Sequence, residues 1–478
     1  MSNRNQVRAL AASVAVTAVI VLGGALWVKN SFIDNADAGS LSGPLNIGAF
    51  NQVSKGEAKP NATAGSDGTA GLSMLPGSVP NAKQKGLDAM AARDFATAQT
   101  ELTAALAEKR NDPEALIYLN NARIGEGQAY TIALSVPASR FSNPSLEMMR
   151  GVAQAQEALN QSGGINGTPL KVLLFDDRGD IDKAQAIASD LAADPNVLGV
   201  VGHYSSDTTL KAAEVYEAAG LPAISPTSTA VKIAEAGDFV FRTVPSDRLA
   251  AATLARYTLS ELKKEKAALF YNSESTYSKS VKSEFTTELL SNGGEIVSEF
   301  DTAEPGFSVS NAVKVAKERG ADVIMLGLTL GTIDIPIQVM AVNQNELPIV
   351  ASDSLYSPRV LEVGRDQAVG MTIAVPWHML SHLRSPFVTT AQQTWGGDVN
   401  WRTATAYDAT MALAAAIEAD PTRRGIAQAL ASSGFAATGA TEEVRFFSSG
   451  DRNQTSQLVT VKKGNRTSSG YEFVPIEP

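Results

Sequence analysis

Two short hydroxyl-rich runs hold most of the groups in this sequence that could do chemistry. His203-Tyr204-Ser205-Ser206-Asp207 follows the apolar run VLGVVG and leads into a helical pattern, and Pro226-Thr227-Ser228-Thr229 follows LPAIS. Hydroxyls and free backbone N–H groups at the start of a helix suit an anion, above all a carboxylate. Taken singly, each run is as easily read as an N-cap or a turn, but two of them on successive strands of one sheet suggest an anion site. The histidines are three, His203, His378 and His382. The last two stand i, i+4 and could place two metal ligands on one helix face. With no cysteine, no HExxH and no third ligand nearby, they read as solvated or structural. His203 beside Ser205 and Ser206 suggests a base and a nucleophile, yet the chain has no GxSxG elbow and no phosphate loop of the P-loop or GxGxxG type. Neither an enzyme, nor a metal, nor a cofactor is expected.

These loops must be positioned by the elements around them. From Tyr130 onward, short apolar β-branched runs alternate with amphipathic ones. TIALSV, LKVLLFDD, VLGVVG and LPAIS are separated by helical patterns near Pro144 to Ser162, Ile181 to Ala193 and Thr208 to Ala219. The alternation starts again with AALFY, EIVSEF, DVIMLG and LPIVAS, between helices near Ser278 to Ser291, Val309 to Arg319 and Ile335 to Asn343. Such a pattern argues for right-handed βαβ crossovers and mostly parallel sheets covered on both faces. Two such units in series imply two lobes with a cleft between them, and in open α/β sheets ligands collect at the carboxyl ends of the strands.

The rest of the chain bounds the setting. At 478 residues it is too long for one core. A net charge of −10 without a basic stripe excludes nucleic acid as a partner. The absence of cysteine removes disulfides, thiolate chemistry and a lipid-modified cysteine anchor. Ala9 to Val28 is a charge-free, mostly apolar stretch of 20 residues preceded by Arg4 and Arg8, long enough to span about 30 Å of hydrocarbon. It is expected to act as an uncleaved membrane anchor (residues 1–29) with the remainder exported to the periplasmic face; the alternative is a signal peptide cut near Ala36-Asp37-Ala38. Residues 30–80, rich in Gly, Ser, Ala, Asn and Pro, read as a flexible tether. Residues 81–126 carry Gly86, Phe95, Ala98, Leu102 and Ala105 at helical spacings, and the step from Gly86 to Asn120 is 34 residues. That stretch resembles a tetratricopeptide repeat, although a plain helical hairpin spacing the next domain from the membrane fits equally well.

Within residues 129–475 the sequence resembles a family. GGINGTPLKVLLFDD, GHYSSDTT, AGLPAISPTST and FRTVPSD occur in the order and spacing of the leucine/isoleucine/valine-binding family of periplasmic binding proteins. The resemblance implies an α/β, two-lobed type I periplasmic-binding-protein fold with parallel sheets, here preceded by an N-terminal membrane helix and a short all-α hairpin. In that fold the chain crosses between lobes three times. It also implies that Ser206, the backbone around Thr227 and the Thr229 hydroxyl cradle the α-carboxylate of an amino acid and part of its ammonium. Tyr277 closes over the ligand and Asp353 pairs with the α-ammonium; from the residues alone, Asp353 is also an N-cap for a helix near Ser357. An aromatic contact expected at Thr329 is missing, so a small or polar neutral amino acid or an amide fits as well as leucine. The implied role is capture of an amino acid or close analogue for an ABC permease. The alternative is a membrane-anchored sensor or scaffold that uses the same cleft without transport.

Overall fold

The computed structural model describes residues 72–476. The expected membrane anchor and most of the expected tether lie outside the described residues. Among the described residues no helix is long and apolar enough to cross a membrane.

Three helices come first: α1 (Asn81–Ala91), α2 (Phe95–Glu108) and α3 (Pro113–Ile124). Asp94 and Asp112 cap α2 and α3 by accepting the Thr97 and Ala115 N–H groups at 3.1 and 3.0 Å, and Pro113 occupies the first turn of α3, where its missing N–H costs nothing. α1 and α2 cross closely because Gly86 has no side chain: a Cβ there would lie 2.6 Å from Leu102 Cγ. Beneath them, buried Lys83 reaches Asp112 at 2.8 Å and Glu114 at 2.7 Å. Glu114 also accepts from Ser73 Oγ and Met74 N, both at 2.7 Å. The folded chain therefore begins before Asn81, and the last residues of the stretch read as a tether are docked.

α3 lies against the first lobe rather than standing apart from it. Asn121 pairs with Val172 in both directions, donating to its carbonyl at 2.7 Å and accepting from its N–H at 3.2 Å. A side-chain amide thus takes the place of a neighbouring strand along an edge that would otherwise offer unpaired backbone groups.

The first lobe has a five-stranded sheet in the order β2-β1-β3-β4-β5. Its strands are β1 (Tyr130–Val136), β2 (Leu170–Asp176), β3 (Val197–Val201), β4 (Ala223–Ser225) and β5 (Val240–Arg242), all parallel. Between them run α4 (Ser142–Gln161), α5 (Ile181–Ala193) and α6 (Ser206–Ala219). After β5 the chain crosses to the second lobe with α7 (Asp247–Ser260). There β6 (Lys266–Tyr271), α8 (Thr276–Ser291), β7 (Glu295–Asp301), α9 (Val309–Glu318), β8 (Val323–Gly327), α10 (Asp334–Asn343), β9 (Ile349–Ala351) and β10 (Thr372–Val375) follow. It returns through α11 (Pro386–Trp395) to α12 (Trp401–Ala419), α13 (Arg423–Ala431) and the small ribbon β11 (Ala437–Thr438) and β12 (Glu443–Val444). A third crossing leads to β13 (Gln457–Lys463) and β14 (Tyr471–Pro475), antiparallel additions to the second sheet, whose order is β14-β13-β10-β9-β8-β6-β7.

The strand cores are apolar on both faces, with Ile132, Ala133 and Leu134 in β1 and Val323 to Leu326 in β8 wholly buried, as helices on both sides of a parallel sheet require. α12 packs along α4 in the first lobe. Gly151 permits that approach, since a Cβ there would sit 2.2 Å from Thr403 O and 2.6 Å from Tyr407 N. The structure shows the alternating strands and helices of the α/β reading and its three crossings.

Candidate functional site

In each sheet the strand order reverses direction once, between β1 and β3 in the first lobe and between β6 and β8 in the second. Loops leaving the strands on either side of such a point diverge and open a crevice. Here the two crevices face one another across a cavity of about 220 Å³. The first lobe contributes Arg140 and Phe141 after β1, Tyr204 to Asp207 after β3, and Thr227 after β4. From the second come Ser275 and Tyr277 after β6, Thr329 to Gly331 after β8, and Asp353 with Ser354 after β9. Trp401 and Arg402, at the start of α12, close the remaining side.

Ser206 reaches the cavity because its neighbour does the capping. Ser205 is the N-cap of α6, accepting the Thr208 N–H at 3.2 Å in a reciprocal capping box, which leaves Ser206 in the first turn with N–H groups that have no intrahelical acceptor. Its own Oγ accepts from Ala230 N at 3.3 Å. The Thr227 hydroxyl is spent on the Tyr204 carbonyl at 2.7 Å, so it ties the two hydroxyl loops together. Thr229 lies behind the wall: it is buried, its side chain lies against the Asp247 carboxyl, and its carbonyl accepts the Asp247 N–H at 2.8 Å. Of the five expected site residues, the structure brings Ser206, Thr227, Tyr277 and Asp353 to one cavity and sets Thr229 one layer back.

On the opposite wall Tyr277 Oη donates to Asp353 Oδ1 at 2.6 Å and accepts from Ser354 N at 3.3 Å. Asp353 opens a short 3-10 turn whose N-cap is Ser352, so its side chain faces the cavity. Burial pushes the Asp353 carboxyl up, against the pull of Tyr277 and of the Arg402 charge. Tyr277 is held well above its ordinary range, first by burial and then by the Asp353 charge. Behind this pair sits Asp247, pushed up to about 7 by burial; Ser280 pulls it down and the Asp353 charge pushes it further up. The lobes also touch beside the cavity, where Asp207 Oδ1 accepts Thr276 N at 3.1 Å and Ser280 Oγ accepts Val231 N at 3.0 Å.

The aromatic surface missing at Thr329 comes from elsewhere. Phe141 and Tyr204, with ring centroids 6.1 Å apart, and Trp401 supply it. The sequence reading passed over Phe141, Trp401 and Arg402. The signal for the last two was weak but present: Asn400 immediately precedes them and caps α12 by accepting Arg402 N at 2.9 Å.

No histidine serves the cavity. His203 is fully buried and points into the lobe, its Nδ1 2.7 Å from Asp177 Oδ2 and its Nε2 2.9 Å from Tyr216 Oη. Its carbonyl accepts from Ser225 Oγ at 2.8 Å, so it fixes the shape of the first hydroxyl loop. His378 is buried and pushed down to about 4 by that burial, while His382 stacks on Trp377. Among the described residues no group of three His, Cys, Asp or Glu side chains could hold a metal ion. A second cavity of about 170 Å³ lies around Tyr356, His378 and Phe473. One pair of charges at its rim is matched, Arg466 holding Asp398 through bonds of 2.9 Å to each carboxylate oxygen.

Known proteins share this fold. A curated relative from Pseudomonas aeruginosa, a leucine-, isoleucine-, valine-, threonine-, and alanine-binding protein, is 29% identical over 199 residues, 41% of this chain and 52% of the relative. Another from the same organism, an amino acid binding protein, is 36% identical over 126 residues, 26% of this chain and 34% of that one. The chain thus spans a third to a half of the length of these relatives. Among solved structures, an ABC transporter substrate-binding protein from Desulfitobacterium hafniense in complex with Leu shares the fold with a TM-score of 0.62 and 24% identity, covering 73% of this chain and 100% of that one. A leucine binding protein from Thermotoga maritima gives a TM-score of 0.63 at 21% identity, with 73% and 99% covered. A family model described as periplasmic binding protein matches residues 130–466, and the chain belongs to that family.

Proposed function

We propose that this protein is an extracytoplasmic solute-binding protein that captures an amino acid or a close analogue for an ABC permease. The observation that carries this reading is the opposition of unlike groups across one cavity: α6 N–H groups and the Ser206 hydroxyl on one lobe, the Asp353 carboxyl held by Tyr277 on the other. The first wall suits a carboxylate and the second an ammonium, and charge-assisted hydrogen bonds in such a cleft each contribute about 1.5–3 kcal/mol. The backbone at Thr227 completes the carboxylate cradle, and Thr229 supports it from behind through Asp247. The relatives named for amino acids, and the neighbour solved with Leu, favour this ligand class. The charge-free apolar run from Ala9 to Val28 supports a membrane anchor at residues 1–29, and the periplasmic family supports an extracytoplasmic setting for the binding lobes.

Calorimetry of the protein with the amino acids tests the reading directly. Saturable one-to-one binding of at least one of them is expected, with a rise in melting temperature, because ligand at 100 times its Kd adds about 2.7 kcal/mol of stability. Failure of every amino acid to bind overturns it.

A further inference from the structure

The cavity is bordered by a buried cation that an amino acid's backbone does not use. Arg402 is 1% exposed and borders the cavity at the first turn of α12. Its guanidinium lies over the Trp401 ring, 4.2 Å from the centroid. One of its donors, Nη1, is spent on the Tyr356 carbonyl at 3.2 Å, and its Nε is buried without a partner. Among the described residues no carboxylate lies within ion-pair distance of it; Asp353, across the cavity, acts on it only at longer range. Other buried arginines in the molecule are matched, Arg242 by Asp451 at 2.7 Å and Arg452 by Asp408 at 3.2 Å. A buried guanidinium without a carboxylate is costly; this one has the Tyr204 hydroxyl beside it and borders the cavity, where a ligand can complete it.

We propose that Arg402 binds a second anionic group, so that the ligand is an amino acid with a carboxylate side chain. This rests on the amino-acid reading of the cavity and narrows it. Each charged group of such a ligand then has a counterpart: the α-carboxylate meets Ser206 and the α6 N–H groups, the ammonium meets Asp353, and the side-chain carboxylate meets Arg402. An aliphatic side chain would instead leave methyl groups against the free edge of the guanidinium. The planar fork of an arginine suits a carboxylate in two-point contact, and Trp401 beneath holds its plane fixed.

The test is a titration of the full-length protein in detergent with L-glutamate, L-aspartate, L-glutamine and L-leucine, followed by calorimetry. Glutamate or aspartate is expected to bind at least about tenfold more tightly than leucine and glutamine, the scale of a buried charge pair. In Arg402→Met the ratio of acidic to neutral affinity is expected to collapse by about tenfold or more, and in Arg402→Lys to be partly retained. Tighter binding of leucine or glutamine by the wild type overturns the assignment while leaving the amino-acid reading intact, and needs no variant to fold. An equal loss for all four ligands in Arg402→Met also overturns it, since that marks a scaffold role. If none of the amino acids binds the wild type, both readings fall.

Discussion

The Tyr277 hydroxyl donates to Asp353 at 2.6 Å from the end of a different strand of the same sheet. That bond fixes the orientation of a carboxyl which burial alone would push toward the neutral form. Asp353→Asn keeps the shape of the wall and removes its charge, so the affinity for a zwitterionic amino acid should fall by about 2–5 kcal/mol. An analogue lacking the amino group should lose little. The deciding measurement is a double cycle of protein and ligand variants by calorimetry; a coupling energy of zero would show that Asp353 does not meet the ammonium.

Ser206→Ala removes a hydroxyl donor from the opposite wall without disturbing the cap, which belongs to Ser205. Binding should weaken by about 1 kcal/mol or somewhat more, and the melting temperature of the unliganded protein should fall too, because the buried Ala230 N–H loses its acceptor. Ser205→Ala should cost about 1 kcal/mol of stability through the lost cap while leaving the Ser206 donor in place. Equal effects of the two on affinity would contradict this division of labour.

Asp247 gives the protein a predictable response to pH. Its folded pKa of about 7 stands above that of the unfolded chain. The native state therefore binds the extra proton between the unfolded value and about 7, and the stability this group contributes at low pH is lost as pH rises through that window. Asp247→Asn, which cannot ionise, should flatten the decline in melting temperature between about pH 4 and 7. A pH profile identical to that of the wild type would place the titration elsewhere.

Gly151 couples the helix pair to the site. A methyl group there would collide with the backbone at Thr403, one residue beyond Arg402, so Gly151→Ala must push α12 away from α4. Overpacking of this kind costs about 1–3 kcal/mol. Ligand affinity should fall together with stability, because Trp401 and Arg402 move with the helix. Weakened stability at wild-type affinity would show that the start of α12 is held independently.

The buried charges under α1 set where the protein can be shortened. Lys83→Met leaves Asp112 and Glu114 buried without their cation and should cost about 3–5 kcal/mol. A chain starting at residue 72 keeps Ser73 and Met74 on Glu114, whereas one starting at Asn81 loses both donors. The second should melt at a lower temperature in calorimetric scans, and equal melting would assign these contacts no weight.

Much of the fold follows from local pattern. Apolar β-branched runs alternating with amphipathic ones define the strands and the helices between them from β1 to β4 and again from β6 to β9, because each must bury a face against its neighbour, and Ile181–Ala193 runs between the residues where its periodicity places it. The hydroxyl loops after β3 and β4 were legible for the same reason, since a site in such a sheet lies at the strand ends. α12 left no such trace. Buried on nearly every side, it shows no apolar stripe, and its Trp401 and Arg402 meet the cavity only because Gly151 lets it close onto α4. Sequence likewise marked hydroxyls without saying which way they point: Ser206 faces the cavity while Thr227 is turned to Tyr204 and Thr229 to the layer behind. The local chain determined which groups stand at the ends of the strands. Which of them meet across the cleft, and that a buried arginine without a carboxylate partner joins them, was decided by contacts between residues hundreds of positions apart, which no local periodicity encodes.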